Sequence, residues 1–236
     1  MKYQRRKILL TGDSRGIGRE LLIHFLEGGA EVIGLSRSEQ DLEHPGYYHF
    51  RVDLSDIANT QVWLATQLKT NLFQNIDYLI NNAGVASMNH SLLMPQETVE
   101  RIFRINFEST CLFCRELGKT MVQRRQGRIV NFSSVAVPLV LAGEAAYAAS
   151  KCAVETYSKV FAREVWKAGV TCNCVGPAPI ATALTRGVPQ EKLSDIENHL
   201  SLPRSAESAD VINIVDFFLQ DSSELISGQI LYLGVV

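Results

Sequence analysis

The chain alternates short apolar runs with longer stretches in which apolar residues recur every three or four positions. The short runs predict buried β-strands, and the longer spacing predicts amphipathic helices. Strands are expected at residues 8–11, 31–35, 48–52, 76–80, 128–132, 170–175 and 230–233. Helices are expected at residues 17–27, 57–72, 97–125, 147–168, 190–198 and 209–219.

Strict alternation of strand and helix predicts an α/β fold in which helices cover both faces of a parallel sheet. Because crossovers between parallel strands are right-handed, we expect a Rossmann-type doubly wound sheet of seven strands. No linker, repeat or low-complexity segment interrupts the pattern, so residues 1–236 are expected to form a single domain. Residues 176–189 contain three prolines and are expected to form a loop over a cleft.

The composition excludes several functional classes. The 236 residues are 46% hydrophobic with a formal net charge of -2, which allows one sizeable core and argues against nucleic-acid binding. No apolar run approaches the roughly 20 residues that span a bilayer. Only three apolar residues follow the basic segment 1–7, fewer than the roughly 7–15 of a signal peptide. The segment is therefore expected to be a solvated leader, and the protein is expected in the cytoplasm.

The five cysteines are interpreted as packing residues. An odd number without a signal peptide argues against a disulfide framework. Cys111 and Cys114 have the spacing of a redox or zinc pair, but no second pair accompanies them. We therefore predict no metal site and favour burial of both thiols in a helix interface. Cys172 and Cys174 lie two residues apart in a strand and are expected to share one buried face.

A glycine-rich turn joins the first predicted strand to the first helix. Glycines allow a tight turn and a close approach to a pyrophosphate, and the helix N-terminus supplies free N–H groups. A simple tight turn is the alternative, but the strand–turn–helix context favours a dinucleotide site. The candidate cofactor-binding residues in this turn are Gly12, Ser14, Arg15, Gly16, Ile17 and Gly18.

The residues after the second strand indicate which cofactor binds. An acidic residue about 20 positions beyond the glycines usually bonds the ribose of NAD, and none follows Leu35 here. Arg37 and Arg15 would instead suit a 2′-phosphate, which guanidinium groups grip bidentately. Asp13 would oppose a phosphate if its carboxylate pointed into the site. On balance these residues favour NADPH over NADH, and they argue against an NAD-dependent alcohol dehydrogenase.

Candidate catalytic residues follow strands that end at the same rim. Ser134 comes directly after the fifth strand, and the amide of Asn106 lies in an otherwise apolar helix. Tyr147 and Lys151 are four residues apart on the next long helix, so their side chains share a face. A nearby ammonium lowers the pKa of a tyrosine, which would make the phenol usable for acid–base chemistry. Each feature is ambiguous alone, but together they indicate an active site.

The chain resembles the short-chain dehydrogenase/reductase family over essentially its whole length. The matching motifs are Thr11-Gly12-x-x-x-Gly16-x-Gly18, Asn81-Asn82-Ala83-Gly84, Asn106, Ser134 and Tyr147-x-x-x-Lys151. The resemblance implies a direct hydride transfer from NADPH to a carbonyl carbon. In it Tyr147 gives the proton, Ser134 orients the oxygen and Lys151 binds the nicotinamide ribose. Asn106 would hold a water that reprotonates Lys151.

The same resemblance assigns the remaining cofactor contacts. Asp53 and Leu54 would flank the adenine, and Asn82 would lie along the cofactor and support the central strand. The other residues that the resemblance places at the cofactor are Ala83, Gly84, Pro177, Ile180 and Thr182.

Within the family, the pattern is most similar to that of 3-oxoacyl-[acyl-carrier-protein] reductases. Those enzymes dock an acidic carrier protein through basic residues near the site mouth, where Arg124 and Arg125 would fall. The second expected basic position is Ala168, beside Lys167. A free ketone, sugar or steroid is therefore an alternative substrate, and a non-catalytic nucleotide-binding module is a less favoured alternative function. The family usually has Pro-Gly where this chain has Pro177-Ala178-Pro179, so Ala178 is expected to cost that turn some backbone freedom.

A homotetramer is expected, partly because similar enzymes form tetramers. Two apolar segments also favour association, because they would exceed what one subunit covers. One is the helix residues Phe107, Cys111, Leu112, Phe113, Cys114, Leu117 and Met121. The other is the final segment with Leu231, Leu233, Val235 and Val236.

Overall fold

A parallel sheet forms the centre of the molecule. The computed structural model describes residues 2–180 and 190–236. Within them, strands β1 to β7 span Lys7–Thr11, Glu31–Ser36, Tyr47–Arg51, Tyr78–Asn81, Gly127–Phe132, Val170–Gly176 and Ile230–Tyr232. Every neighbouring pair is parallel, in the order β3-β2-β1-β4-β5-β6-β7. The predicted seven-stranded, doubly wound α/β fold is confirmed.

Helices cover both faces of this sheet. Helices α1 to α8 span Gly16–Glu27, Ile57–Gln67, Gln96–Phe103, Ser109–Arg124, Ala136–Leu139, Ala145–Val165, Gln190–His199 and Ser208–Leu219. The helix predicted at residues 97–125 is interrupted by a π-helical turn, Arg104–Glu108, which separates α3 from α4. The helices predicted to reach residues 72 and 168 end earlier: a separate 3₁₀ segment, Asn71–Phe73, follows the first, and the 3₁₀ segment Trp166–Ala168 directly continues the second. Among the described residues, no helix is both long and apolar enough to cross a membrane.

The alternation of side chains along β1 divides the core into two layers. Ile8 and Leu10 belong to the cluster that packs with α1 and α8, whereas Leu9 belongs to the cluster that packs with α2, α4 and α6. All three side chains are fully buried. Burial on both faces explains why the central strands read as continuous apolar runs.

The strand order reverses between β1 and β4, and this point locates the ligand crevice. In open α/β sheets, ligands bind outside the carboxyl ends of the strands where the order reverses. The glycine turn follows β1, and Asn82 follows β4. The fold therefore brings the two predicted cofactor motifs together.

The prediction of a solvated leader is wrong at Tyr3, which is only 3% exposed. Its ring packs edge-on against Phe25, and its hydroxyl donates to the carboxylate of Asp216 on α8. The ammonium of Lys2 and the Nε2 atom of His24 contact the same carboxylate. These contacts around Asp216, called the Asp216 clamp below, connect the start of the chain and α1 to α8.

The apolar residues that suggested association differ in their exposure to solvent. Leu112, Phe113, Cys114, Leu117 and Met121 are buried within one subunit, so the helix carries less surplus apolar surface than expected. Phe107 and Cys111 are half-buried, and therefore burial of both thiols of the Cys111–Cys114 pair was only partly correct. Leu231, Val235 and Val236 remain exposed, whereas Leu233 is half-buried. Cys172 and Cys174 are fully buried, as predicted.

Candidate active site

A cavity of about 320 Å³ opens at the carboxyl ends of the strands. It is lined by all the predicted site residues of the described chain except Asn106. These are Gly12, Ser14, Arg15, Gly16, Ile17, Gly18, Arg37, Asp53, Leu54, Asn82, Ala83, Gly84, Ser134, Tyr147, Lys151, Pro177 and Ile180. Thr182 and most of the loop expected at residues 176–189 lie outside the described residues.

The glycine turn is packed so tightly that side chains are excluded from it. A Cβ atom on Gly18 would lie 2.0 Å from the carbonyl oxygen of Gly12. Gly12 itself has φ near +75°, a conformation that disfavours other residues. The amide of Asn82 donates to the carbonyls of Thr11 and Gly12 over 3.0 and 3.1 Å, which joins the end of β4 to the turn. The resulting bare backbone at the start of α1 fits the pyrophosphate of a dinucleotide.

The adenosine end of the cavity carries two arginines and two serines. Arg15 and Arg37 both line it, as do Ser36 and Ser38, which the sequence did not single out. The Asp13 carboxylate is fully buried and does not line the cavity, so it does not oppose a phosphate there as the sequence had left open. A 2′-phosphate would therefore meet guanidinium and hydroxyl groups.

Asp53 lies on the other wall of the adenosine end. Burial raises the pKa of its carboxyl, but the hydrogen bonds from Ser55 outweigh this effect, and the positive charges of Arg37 and Arg101 add to them. The net shift of the pKa is downward, so the carboxylate is ionised at neutral pH.

Tyr147 and Ser134 form the centre of the other end of the cavity. Burial raises the pKa of Tyr147 to about 12, the hydrogen bond with Ser134 lowers it, and the Glu144 carboxylate raises it. The expected net lowering of this pKa toward neutral pH is wrong for this structure, because burial outweighs the effects that lower it. The phenol consequently stays protonated at neutral pH, which suits a proton donor.

Lys151 is buried next to Tyr147. Its Nζ atom donates to the carbonyl oxygen of Phe132 over 2.8 Å and lies 5.9 Å from the centre of the tyrosine ring. Burial lowers the pKa of the ammonium to about 8. The lysine is therefore mostly charged at neutral pH, although it lies in a desolvated environment.

Asn106 supports the site from the π-helical turn. Its Oδ1 atom accepts from the backbone N–H of Val85 over 2.8 Å, and its Nδ2 atom donates to the Val85 carbonyl over 2.9 Å and to Ser150 over 3.0 Å. A Cβ atom on Gly84 would lie 3.3 Å from Lys151 Nζ and 3.5 Å from Asn106 Oδ1. The glycine thus leaves space where lysine and asparagine approach each other. Such π turns are frequent at functional sites.

A buried glutamate that sequence reasoning missed holds the residue before Ser134. Glu155 is 6% exposed and accepts hydrogen bonds from the hydroxyls of Ser133 and Tyr232. Its position one helical turn after Lys151 was the available signal, because an acidic residue on a buried helix face needs partners. The cavity wall also contains Met88, Leu141, Glu144, Leu193 and Ile196, for which no pattern gave a signal.

Two expectations about the site surroundings are corrected. Within one chain, Arg124 and Arg125 do not line the cavity. Arg124 donates to the carbonyl of Ile76 before β4, and Arg125 donates to the carbonyl of Lys167, so both lie at the opposite edge of the sheet. Ala178 is not in the positive-φ region, and its turn therefore loses nothing by lacking glycine.

Comparison with known proteins places these features in a family. The chain matches the family of short chain dehydrogenases over residues 6–193. It is 33% identical to the D-erythrulose reductase of Gallus gallus, over 97% of this chain and 94% of that protein. It is 30% identical to the 3-oxoacyl-[acyl-carrier-protein] reductase FabG of Escherichia coli (strain K12), over 99% of this chain and 98% of that protein.

A solved structure, described as 4-hydroxyisoleucine dehydrogenase complexed with NADH, has a similar fold throughout. It aligns with a TM-score of 0.87 at 26% identity and covers 98% of both chains. The chain therefore belongs to the short-chain dehydrogenase/reductase family and is an NAD(P)-dependent oxidoreductase that acts on CH–OH and carbonyl groups.

Proposed function

We propose that this protein reduces a ketone to an alcohol with NADPH and that Tyr147 donates the proton. The observation that carries the proposal is the buried tyrosine, hydrogen-bonded to Ser134, in the same cavity as the glycine turn. All of residues 1–236 would serve as one dinucleotide-binding and catalytic unit. A non-catalytic nucleotide-binding module would not need this buried acid.

The proposal assigns residues to each part of the dinucleotide. The glycine turn would bind the pyrophosphate, Arg15 and Arg37 the 2′-phosphate, and Asp53 and Leu54 would flank the adenine. The residues proposed for the nicotinamide half are Asn82, Ala83, Gly84, Pro177, Ile180 and Thr182. When bound, the cofactor supplies the hydride that reduces the carbonyl carbon.

The chain's own residues would perform the proton chemistry. Tyr147 gives its proton to the carbonyl oxygen, and Ser134 donates a hydrogen bond that holds this oxygen as negative charge develops. The Lys151 ammonium binds the nicotinamide ribose and is the next proton source behind the tyrosine. Asn106 maintains this path by fixing the Val85 backbone and Ser150 around the lysine.

Two substrate classes are supported by different observations. A 3-oxoacyl thioester on acyl carrier protein, and with it a place in fatty acid synthesis, is supported by the similarity to FabG at 30% identity. A free ketone is supported by the similarity to D-erythrulose reductase at 33% identity and by the distance of Arg124 and Arg125 from the cavity.

A cytoplasmic homotetramer completes the proposal. The residues Leu231, Val235 and Val236 of the final segment are exposed and apolar, and a second subunit would cover them.

A panel of carbonyl compounds tests the proposal. Purified protein is mixed with NADPH and with hydroxyketones, cyclic ketones, a 3-oxoacyl thioester of a small thiol, and the same acyl group on acyl carrier protein. Loss of NADPH absorbance with matching alcohol formation identifies the substrate class. A preference for the carrier-bound thioester over the small one supports docking, whereas no reduction with any compound contradicts a reductase.

A further inference from the structure

A buried cluster of three polar side chains lies beneath the glycine turn. The Oδ2 atom of Asp13 accepts a hydrogen bond from the Tyr47 hydroxyl over 2.5 Å and lies 3.0 Å from Nδ1 of His49. The Asp13 side chain is fully buried, and that of His49 is 14% exposed. The cluster therefore joins the turn after β1 to the third strand.

The second strand has a glycine, Gly34, at the position where the Asp13 carboxylate passes. A Cβ atom on Gly34 would lie 1.9 Å from Oδ2 of Asp13, so only glycine at this position of β2 lets the carboxylate pass. The other oxygen of Asp13, Oδ1, is buried without a hydrogen-bond partner among the described residues. An unpaired buried carboxylate oxygen is destabilising, which suggests that Asp13 serves a purpose other than stability.

The far side of the His49 ring contacts the segment that lines the adenosine end of the cavity. Its Nε2 atom lies 2.9 Å from the carbonyl oxygen of Ser38, which also accepts from the Ser36 hydroxyl over 3.3 Å. Ser36, Arg37 and Ser38 all line the cavity. Because both ring nitrogens face oxygen acceptors, the protonated imidazole can donate at both ends and connect Asp13 to Ser38.

The other contacts to this segment are weaker anchors. Arg51 contacts the Arg37 carbonyl over 3.3 Å and the Glu39 carboxylate over 2.9 Å, but both side chains of the ion pair are largely exposed. Exposed ion pairs contribute little to fixing a segment. The contact from His49 to the Ser38 carbonyl also lies at the surface, but the ring that makes it is only 14% exposed and is anchored on the fully buried Asp13.

We propose that His49, anchored by Asp13, is a positioning residue that holds Arg37 and Ser38 for the 2′-phosphate and thereby sets the preference for NADPH over NADH. The proposal rests on the proposed use of NADPH. Tyr47 donates to the same carboxylate and its hydroxyl lies 3.3 Å from Nδ1 of His49, but it does not contact Ser38 directly.

A matched pair of amide substitutions tests the two nitrogen atoms of the His49 ring separately. The side-chain amide of glutamine extends as far as Nε2 of histidine, and that of asparagine extends only as far as Nδ1. His49→Gln therefore retains a donor for the Ser38 carbonyl, whereas His49→Asn loses it. Tyr47→Phe serves as a control, because it removes the hydroxyl that contacts Asp13 and Nδ1 of His49 but leaves the contact between Nε2 of His49 and the Ser38 carbonyl in place.

The measurement is the dissociation constant of NADPH and of NADH for each variant, with the melting temperature recorded beside it. For His49→Asn we expect NADPH binding to weaken about tenfold and NADH binding less than about threefold. The value of kcat at saturating NADPH should stay within about twofold, so that the loss falls on KM. His49→Gln and Tyr47→Phe should keep most of the preference for NADPH.

Failure of the cofactor proposal and failure of the His49 inference give different results. A wild-type protein that binds NADH more tightly than NADPH overturns the cofactor proposal and this inference with it. If the wild type prefers NADPH and His49→Asn keeps the same ratio of the two constants while melting at a lower temperature, His49 is structural and this inference alone is wrong. Equal loss of preference in His49→Asn and Tyr47→Phe also contradicts it.

Discussion

Lys151 donates a hydrogen bond over 2.8 Å to the carbonyl oxygen of Phe132, the last residue of β5. The bond holds a buried ammonium against the end of a central strand, where desolvation lowers its pKa to about 8. Burial has the opposite effect on the neighbouring phenol and raises the pKa of Tyr147 to about 12. At neutral pH the pair is therefore a cation behind a protonated acid, the arrangement that carbonyl reduction needs.

This relationship predicts the pH dependence of reduction. Since burial favours the neutral lysine, the ammonium is present below pH about 8 and is lost as the pH rises through that value. Tyr147 stays protonated over the same range. We expect kcat/KM, which reports the free enzyme, to fall as the pH rises through about 8. Initial rates between pH about 6 and 10 measure this, and a profile that stays level to pH about 10 contradicts it.

Cofactor choice should follow the charge at residue 37. Arg37→Asp removes a partner of the 2′-phosphate and supplies an acceptor for a ribose hydroxyl, so the preference should shift toward NADH by a few kcal/mol at most. Dissociation constants of both cofactors measure the shift. Arg5→Asp makes the same change of charge at the other edge of the sheet and should leave the preference unaltered. If Arg37→Asp still prefers NADPH as strongly as the wild type, Arg37 does not bind the 2′-phosphate.

The clamp at Asp216 should make stability depend on pH. Burial raises the pKa of this carboxyl, but hydrogen bonds from Lys2, Tyr3 and His24 outweigh burial and lower the pKa overall. A lowered carboxyl pKa contributes stability above the unfolded value, about 3.9, and this stability is lost as the pH falls through the folded value. Asp216→Ala should lower the free energy of unfolding at pH about 7 by about 1–3 kcal/mol.

Urea unfolding at several pH values checks the Asp216 prediction. The wild type should lose more stability than Asp216→Ala as the pH falls from about 5 to about 2, because only the wild type has this carboxylate to protonate. Parallel losses in the two proteins would show that the clamp contributes nothing of electrostatic origin.

Association should cover the exposed apolar residues near the last strand. Light scattering at micromolar concentration is expected to give about four times the 26.2 kDa mass of one chain. Val235→Asp should reduce this mass, because a carboxylate in an apolar interface is costly to bury. A wild-type mass near 26.2 kDa contradicts the tetramer, and a dimer would support the interface but not the tetrameric state.

The sheet and most of the cavity could be predicted from the sequence because local patterns determine them. Apolar runs such as Ile8-Leu9-Leu10 of β1 have few alternatives to a buried strand, and the glycines of the first turn are required by close backbone packing. The π-helical turn at Asn106 could not be predicted, because it spans only five residues and one wide turn is too short to change the apolar pattern of the whole helix visibly.

Contacts between distant residues account for the other errors. The Tyr3–Asp216 bond joins positions 213 residues apart, and no local pattern links them. Asp13 showed in the sequence as an acid beside two arginines, and its burial depends on Gly34 and His49 in other strands. The pKa of Tyr147 was predicted with the wrong sign because sequence spacing reveals a neighbouring lysine but not the degree of burial.

The most direct test of the account compares two tyrosines on the same helix. Tyr147→Phe removes the proposed acid from the cavity, whereas Tyr157→Phe removes a phenol whose hydroxyl contacts only the carbonyl of Cys111 among the described residues, over 3.4 Å. With a ketone that the wild type reduces, Tyr147→Phe should lower kcat by about a hundredfold to ten-thousandfold while NADPH affinity stays within about twofold. Tyr157→Phe should retain wild-type turnover. Near-normal turnover by Tyr147→Phe would contradict the proposal that this tyrosine gives the proton.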